Sequence, residues 1–230
     1  MTLKRLFMRF APAVIGAVGV SGFACAGDAG GVYLGGNFGR AHNTYDTGFI
    51  DSQIVGIATA DGETVSYGGR SIQRMSDAWW VDAGFLFNPY VGIEAEFLHL
   101  GEFKYESAGT LDATGSDRSI STKTEVTSHG PALSLRLRLP LTEAFEADLR
   151  VGDYYGKALA NALITVASTA DHGSASKTTS SLAVGLGAAY TFAAHWSLRG
   201  DVLRVNKTGD DGTTGTFSVN LVTLGASYTF

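Results

Sequence analysis

The sequence predicts an all-β protein: a cleavable signal peptide followed by eight antiparallel strands that close into a transmembrane up-and-down β-barrel. Three observations predict it. Large apolar residues recur at every second position through eight segments of about ten residues, the period of a strand with one apolar face. The gaps between segments alternate strictly between tight turns and long polar stretches. The face opposite the apolar one carries charges of both signs, enough to fill a narrow interior.

Composition narrows the field first. The 230 residues hold 17 Lys and Arg against 22 Asp and Glu, a formal charge of −5. That balance excludes a nucleic-acid binder, which needs a basic face. With 45% hydrophobic and 17% charged residues, a highly charged disordered chain is excluded as well. The 30 glycines come with only 4 prolines and no Gly-X-Y period, so the chain is not collagen-like. One cysteine can form neither an internal disulfide nor a zinc cluster.

Residues 1–26 read as a signal peptide. Lys4, Arg5 and Arg9 precede an apolar run from Phe10 to Ala24, and Ala24-Cys25-Ala26 supplies the small residues of a cleavage site. A membrane anchor is the alternative, but the run is short. A lipoprotein is another, since Cys25 is present, but Gly22 stands where a lipobox carries Leu. Cleavage after Ala26 removes the sole cysteine and three positive charges, taking the formal charge from −5 to −8. The remaining chain, 27–230, is expected to be one barrel domain.

The eight strands are expected at Val32–Ala41, Ala78–Asn88, Val91–Leu100, Pro131–Leu139, Phe145–Tyr154, Leu182–Phe192, Trp196–Val205 and Phe217–Phe230. The pattern is plainest where Leu133, Leu135, Leu137 and Leu139 interleave with Ser134, Arg136 and Arg138. It repeats where Phe145, Ala147, Leu149 and Val151 interleave with Glu146, Asp148 and Arg150. In the last segment Phe217, Val219 and Leu221 run out of phase with Val222, Leu224 and Ala226, which requires either a bulge or an apolar upper interior. Tight connections fall at 88–90, 140–144 and 193–195. Long ones fall at 42–77, 101–130, 155–181 and 206–216, with 158–170 able to extend the flanking strands or form a short helix. Long loops count against a compact soluble domain but suit an outer-membrane barrel with short turns at one end and long loops at the other. Two other readings compete. A transmembrane helix over Thr178–Leu198 has the length to span, but Gly185-x-Gly187 and the period of two favour a strand. A soluble β-sandwich would turn the charged face to water.

The inward set is Asp82, Glu94, Glu96, Arg136, Arg138, Glu146, Asp148, Arg150, Arg199 and Asp201. Opposite signs on adjacent strands supply the partners that enclosed charges need. Glu94 and Glu96 should flank Arg136 and Arg138, which in turn should flank Glu146 and Asp148. Aromatic side chains should form interface girdles: Phe87, Tyr90, Phe145, Tyr190, Phe192, Trp196, Tyr228 and Phe230 at one rim, with Trp79 and Tyr154 at the other. Gly84, Gly185, Gly187 and Gly225 are small inward residues that let a narrow barrel close.

At this point the chain, over about 31–230, resembles the eight-stranded outer-membrane barrels of the OmpA/OmpX type. The residues that carry the resemblance are the opening Val32-Tyr33-Leu34-Gly35-Gly36-Asn37-Phe38-Gly39 and the closing Val222, Leu224, Ala226, Tyr228 and Phe230. The resemblance implies a cell-outer-membrane location with both termini periplasmic. It further implies contact with outer-membrane lipid and lipopolysaccharide, and a terminal strand whose Tyr228 and Phe230 are read by the barrel-assembly machinery. The larger members' peptidoglycan-binding domain is not matched, so that activity is not carried over. A monomer without cofactor, metal or nucleic-acid partner is expected.

The functional expectation is a non-enzymatic barrel with a charge-plugged interior, supporting envelope integrity and presenting four long surface loops. The first of these, with Tyr45, Phe49, Ile50, Ile54, Val55 and Tyr67, is the expected contact surface. The alternative is a lipid A-modifying enzyme or a minor small-solute pore. His195-Trp196-Ser197 has a His-x-Ser spacing suited to nucleophilic catalysis, yet it falls at a tight turn, on the side away from the outer leaflet. Asp82, Glu94 and Glu96 could act as acid and base, but arginine pairing accounts for them. The five histidines show no metal-ligand spacing. Asn206-Lys207-Thr208 is a chance sequon, and Asp210-Asp211-Gly212 is an ordinary loop rather than a site for a divalent ion.

Overall fold

Alternation of apolar and polar residues becomes alternation of lipid-facing and lumen-facing side chains in the computed structural model, which describes residues 31–60, 62–112 and 117–230. The signal peptide and its Ala24 and Ala26 lie outside the described residues. In chain order the elements are β1 (Gly31–Asn43), α1 (Thr47–Ala60), β2 (Thr64–Gln73), β3 (Met75–Leu86), β4 (Val91–Asp112), β5 (Arg118–Pro140), β6 (Phe145–Val166), β7 (Thr169–Ala193), β8 (Trp196–Asp210) and β9 (Gly215–Thr229).

Every pairing is antiparallel, and β1, β3, β4, β5, β6, β7, β8 and β9 form a closed ring. Register fixes its shape. Tyr33 pairs with Gly84, and successive partners are Glu94, Ser134, Gly152, Ala183, Val205, Val219 and finally Asn43. One circuit therefore returns to β1 ten residues beyond its start, from Tyr33 to Asn43. Eight strands with that stagger make a tilted barrel whose interior is just wide enough for side chains.

β2 is not a ninth barrel strand. It continues the line of β3 and pairs with the far part of β4, from Gln73↔Lys104 to Thr64↔Asp112, whereas β3 pairs with the near part from Trp79↔His99. The two are separated only at Arg74, whose Nη1 donates to the Tyr45 carbonyl at 3.1 Å.

The long connections differ from expectation. Instead of loops, 101–130 and 155–181 are mostly strand: β4 and β5 run 22 and 23 residues, β6 and β7 run 22 and 25. The expected strand stops at Leu100 because Gly101 interrupts the pattern, with φ +80 and a register shift between His99 and Glu102. Alternation resumes at once. Phe103 and Tyr105 point in, while Lys104 and Glu106 point out to cross-strand partners Glu125 (3.4 Å) and Lys123 (3.2 Å). The stretch 158–170 takes the extended form, closing in a two-residue turn between Val166 and Thr169. The connection 206–216 keeps a compact turn at its tip, and strand pairing there reaches Asp210↔Gly215.

The first connection, where the sequence predicts a loop, holds α1. Asp46 starts it by accepting the Gly48 amide at 2.9 Å, as a capping side chain does. Ile50, Ile54 and Ala58, four residues apart, form its buried stripe. They pack with Phe103, Tyr105, Leu111, Ile120 and Phe217 into one apolar cluster.

The short turns are fixed by side chains. Asn88 Oδ1 accepts the amides of Tyr90 (2.8 Å) and Val91 (2.9 Å), and Thr142 Oγ1 accepts that of Phe145 at 3.0 Å.

Candidate functional site: the filled lumen

All ten charged residues expected to face inward do so. Asp82, Glu94, Glu96, Arg136, Asp148, Arg150, Arg199 and Asp201 are buried, and Arg138 and Glu146 are partly buried near the short-turn end. No residue of this set lies on the outer face.

Glu94 is the hub. Its carboxylate accepts the Tyr33 hydroxyl and lies 3.5 Å from Arg136 Nη1, 3.2 Å from Arg150 Nη1 and 3.6 Å from Arg199 Nη2. Those arginines come from β5, β6 and β8, so a single carboxylate on β4 ties together the walls of the ring. Each guanidinium has further acidic partners. Arg136 Nη2 reaches Asp148 at 3.3 Å and Glu146 at 3.4 Å, Arg150 pairs with Asp201 and Asp148, and Arg199 Nη1 reaches Asp82 at 2.9 Å. Arg138 pairs with Glu146. Breaking one such pair strands its partner in a place without bulk water, which is far costlier than losing an exposed pair.

Two expected contacts are not made. Arg138 pairs with Glu146 and not with Glu94 or Glu96. Glu96 forms no ion pair among the described residues, and its Oε1 has no hydrogen-bond partner. The reason is height: Glu96 is one inward position beyond Glu94 toward the apolar layer, out of reach of Arg136 and Arg138.

Sequence reasoning missed Tyr33 and Asn37, which line the same space. Tyr33 binds Glu94, stacks its ring 5.2 Å from the Arg136 guanidinium, and Asn37 Nδ2 donates to Asp82 at 3.3 Å. Both sit at inward positions of β1, so the period-two pattern contained them, but their lack of charge hid them.

Above the charged layer the lumen turns apolar. Trp80, Leu98, Leu100, Leu203, Val219 and Leu221 are fully enclosed, and the last two belong to the out-of-phase stretch of β9. That stretch is an inward apolar top, and β9 carries no bulge between Phe217 and Val222 of the kind offered as the alternative. Tyr45 closes the far end, its ring stacked 4.7 Å from Phe103 and its hydroxyl donating to the Thr214 carbonyl. Tyr105 donates to Asp51 of α1 at 2.6 Å. Burial and that carboxylate push the Tyr105 phenol up to about 12.

This packing overturns the expected contact surface. Tyr45, Ile50 and Ile54 are buried, and Phe49 packs partly against the cluster. Val55 alone of that set is exposed, and Tyr67 lies under the Arg70 guanidinium at 4.3 Å. An apolar stripe on a helix buries itself against the nearest apolar surface, here the mouth of the barrel.

On the outer face, Phe87, Tyr90, Phe145, Tyr190, Phe192, Trp196 and Phe230 are exposed near the short-turn end, with Tyr228 half-buried between Trp196 (5.1 Å) and Phe230 (5.0 Å). Trp79 is exposed toward the hairpin end, stacked on His99 at 5.7 Å. Tyr154 does not join it: the residue is fully buried and its hydroxyl meets Ser128 at 2.9 Å. Its neighbour Tyr155 faces out instead. Between the rims lies a continuous band of Phe38, Val81, Phe85, Ile93, Leu135, Leu186, Val202 and Leu224. Such an exposed apolar belt suits hydrocarbon, not water.

His195 and Ser197 do not meet. His195 Nδ1 is bonded to the Thr229 carbonyl at 2.8 Å, and Ser197 Oγ to Thr191 Oγ1 at 2.9 Å. The first and last described residues, like this turn, lie at the short-turn end: Gly31 pairs with Leu86 and Tyr33 with Thr229.

Among solved structures the chain is similar to Neisserial surface protein A, at 10% identity over 86% of this chain and 97% of that one, with a TM-score of 0.46. It is similar to OprG of Pseudomonas aeruginosa, at 13% identity over 89% and 98%, with a TM-score of 0.42. Ail, the attachment invasion locus protein of Yersinia pestis, is 16% identical over 86% and 98%, with a TM-score of 0.38. A search of curated protein sequences gives no match. The outer membrane protein beta-barrel domain family matches residues 10–230. The chain belongs to that family and is a transmembrane β-barrel of the cell outer membrane.

Proposed function

We propose that this protein is a non-enzymatic, monomeric outer-membrane barrel with a closed lumen that supports envelope integrity and makes contacts from its hairpin end. Both termini and the three tight turns face the periplasm, the long hairpins face outward, and Tyr228 and Phe230 are the residues that the barrel-assembly machinery reads. The observation that carries the reading is the filling of the lumen in two layers. Arg136, Arg150 and Arg199 converge on Glu94, and an apolar plug roofed by α1 lies above them.

The contact surface is the sheet that continues beyond the ring, in the order β2-β4-β5-β6-β7. β7 pairs with β8 only from Ala183, so among the described residues Thr169–Thr178 is backbone-paired on its β6 side alone. A strand with one unpaired backbone edge is a template for an added strand.

In planar bilayers the wild-type barrel is expected to show no steady conductance, and Arg150→Ala with Arg199→Ala should show none either, because the apolar plug under α1 stays in place. A wild-type open level of ordinary pore size would overturn the closed-lumen reading. The second reading, a lipid A-modifying enzyme, would require His195 and Ser197 to leave their bonds to Thr229 and Thr191 and come together. An acyl change seen by lipid A mass spectrometry, and lost on Ser197→Ala, would establish it.

A further inference from the structure

The apolar cluster beside α1 does not fill all the space it encloses. Between α1 and the β6–β7 hairpin lies a cavity of about 340 Å³. Its walls are Ile54 and Ala58 of α1, Leu111 of β4, Ile120 of β5, and Ile164 and Val166 of β6. Register explains the lining. Ile120, Val166 and Thr169 form one cross-strand row, and Leu111 pairs with Arg118, two residues before Ile120. All therefore project from the same face of the sheet, toward the buried stripe of α1. The polar lining residues are Glu63, Arg118 and Thr169. Arg118 and Thr169 are the exposed members of the lining and so mark its mouth. Arg118 Nη2 pairs there with Glu63, whose amide donates to the Ala58 carbonyl at 2.9 Å and ties it to the end of α1. Aliphatic walls offer water no partners.

We infer that this cavity binds a small uncharged amphiphile: one short aliphatic chain ended by a hydroxyl or an amide. The ion pair sets the head. Glu63 and Arg118 cancel, so a charged head of either sign meets a like charge beside its opposite and still gives up its hydration. A hydroxyl or amide both donates and accepts, and so uses a guanidinium N–H and a carboxylate oxygen together. Those groups are on offer: among the described residues Arg118 spends only Nη2, on Glu63. The volume sets the chain. It stands at the small end of ligand pockets, which run from roughly 300 to 1,000 Å³, and holds one short chain rather than a multi-chain lipid. The inference depends neither on the closed lumen nor on the orientation proposed above.

The test is photolabelling of the full barrel in lipid nanodiscs with a diazirine-bearing octanol, mapped by mass spectrometry after proteolysis. Saturable labels are expected at 54–58, 118–120 and 164–169. Unlabelled n-octanol should displace them at about tenfold lower concentration than octanoate or octylammonium. Label on lipid-facing Leu186 and Leu224 reports probe dissolved in the bilayer and should not saturate. Val166→Phe, which fills the cavity, should lose most of the cavity label and keep that of the belt. Arg118→Gln leaves Glu63 without its cation, and octylammonium should then displace the label better than octanol. Cavity label that does not saturate, or that is unchanged in Val166→Phe, overturns the inference. So does label that octanol fails to displace because a lipid chain holds the space, and so does equal displacement by all three heads. Heat-modifiable gel migration checks folding. If Val166→Phe does not fold, Arg118→Gln decides, and an unchanged order of the three heads there overturns the inference.

Discussion

The ring of Tyr33 occupies the space that a side chain on Gly84 would need. A Cβ at Gly84 would stand 2.1 Å from Tyr33 Cζ, and the two residues are register partners on β1 and β3. The phenol can reach Glu94 only because its neighbour has no side chain.

Gly84→Ala is therefore expected to displace Tyr33 and cut its bond to the Glu94 hub. Overpacking of this kind typically costs about 1–3 kcal/mol. Urea unfolding in lipid vesicles, compared with Tyr33→Phe, checks it. If Gly84→Ala is as stable as wild type, Tyr33 does not fill that space.

Arg150 joins Glu94, Asp148 and Asp201, so Arg150→Ala leaves three buried carboxylates short of a partner. A loss of roughly 3–5 kcal/mol is expected. Arg150→Met combined with Asp201→Asn should lose less than Arg150→Met alone, because one stranded charge is removed with it. A double-mutant cycle measures the coupling, and strict additivity would contradict the pairing.

Leu224 is 70% exposed on the outer face near the middle of the apolar belt. An arginine there meets hydrocarbon, and Leu224→Arg should destabilise the inserted barrel by about 2–4 kcal/mol. The same substitution on a water-facing sheet would be nearly neutral, so the unfolding free energy in vesicles separates the two settings.

Docking of α1 should depend on pH at the alkaline end. The Tyr105 phenol is held up at about 12, above the ordinary value near 10. Its hydrogen bond to Asp51 is therefore fully present below pH 10 and lost as pH rises through about 12. Proteolysis of the α1 segment should rise over that interval in wild type and be pH-independent there in Tyr105→Phe. Ile54→Ala, which empties part of the buried stripe, should increase the cleavage at every pH.

The barrel itself was written locally. A period of two needs no distant information, so the membrane-spanning parts of the eight ring strands and the inward side of Asp82, Glu94, Glu96, Arg136, Arg138, Glu146, Asp148, Arg150, Arg199 and Asp201 followed from neighbouring residues alone. Pairwise partnership did not. Glu94 collects arginines from β5, β6 and β8, whereas Glu96 collects none, because the ten-residue stagger of the ring sets the height of each side chain. The extensions were half-visible: Glu102-Phe103-Lys104-Tyr105-Glu106 alternates plainly, but the glycine before it reads as a stop until the bulge is seen.

Only tertiary structure decided the fate of α1. Ile50, Ile54 and Ala58 carry a helical spacing, yet isoleucine, valine, threonine and Gly56 within the segment favour helix weakly. An isolated stretch of that length would not hold a helix in water. It folds because the lumen above the charged layer offers Phe103, Tyr105 and Phe217 as an apolar surface to cover. Sequence alone thus determined which residues face lipid and which face inward. The closing of the ring determined which charges meet and turned an expected surface loop into the lid of the barrel.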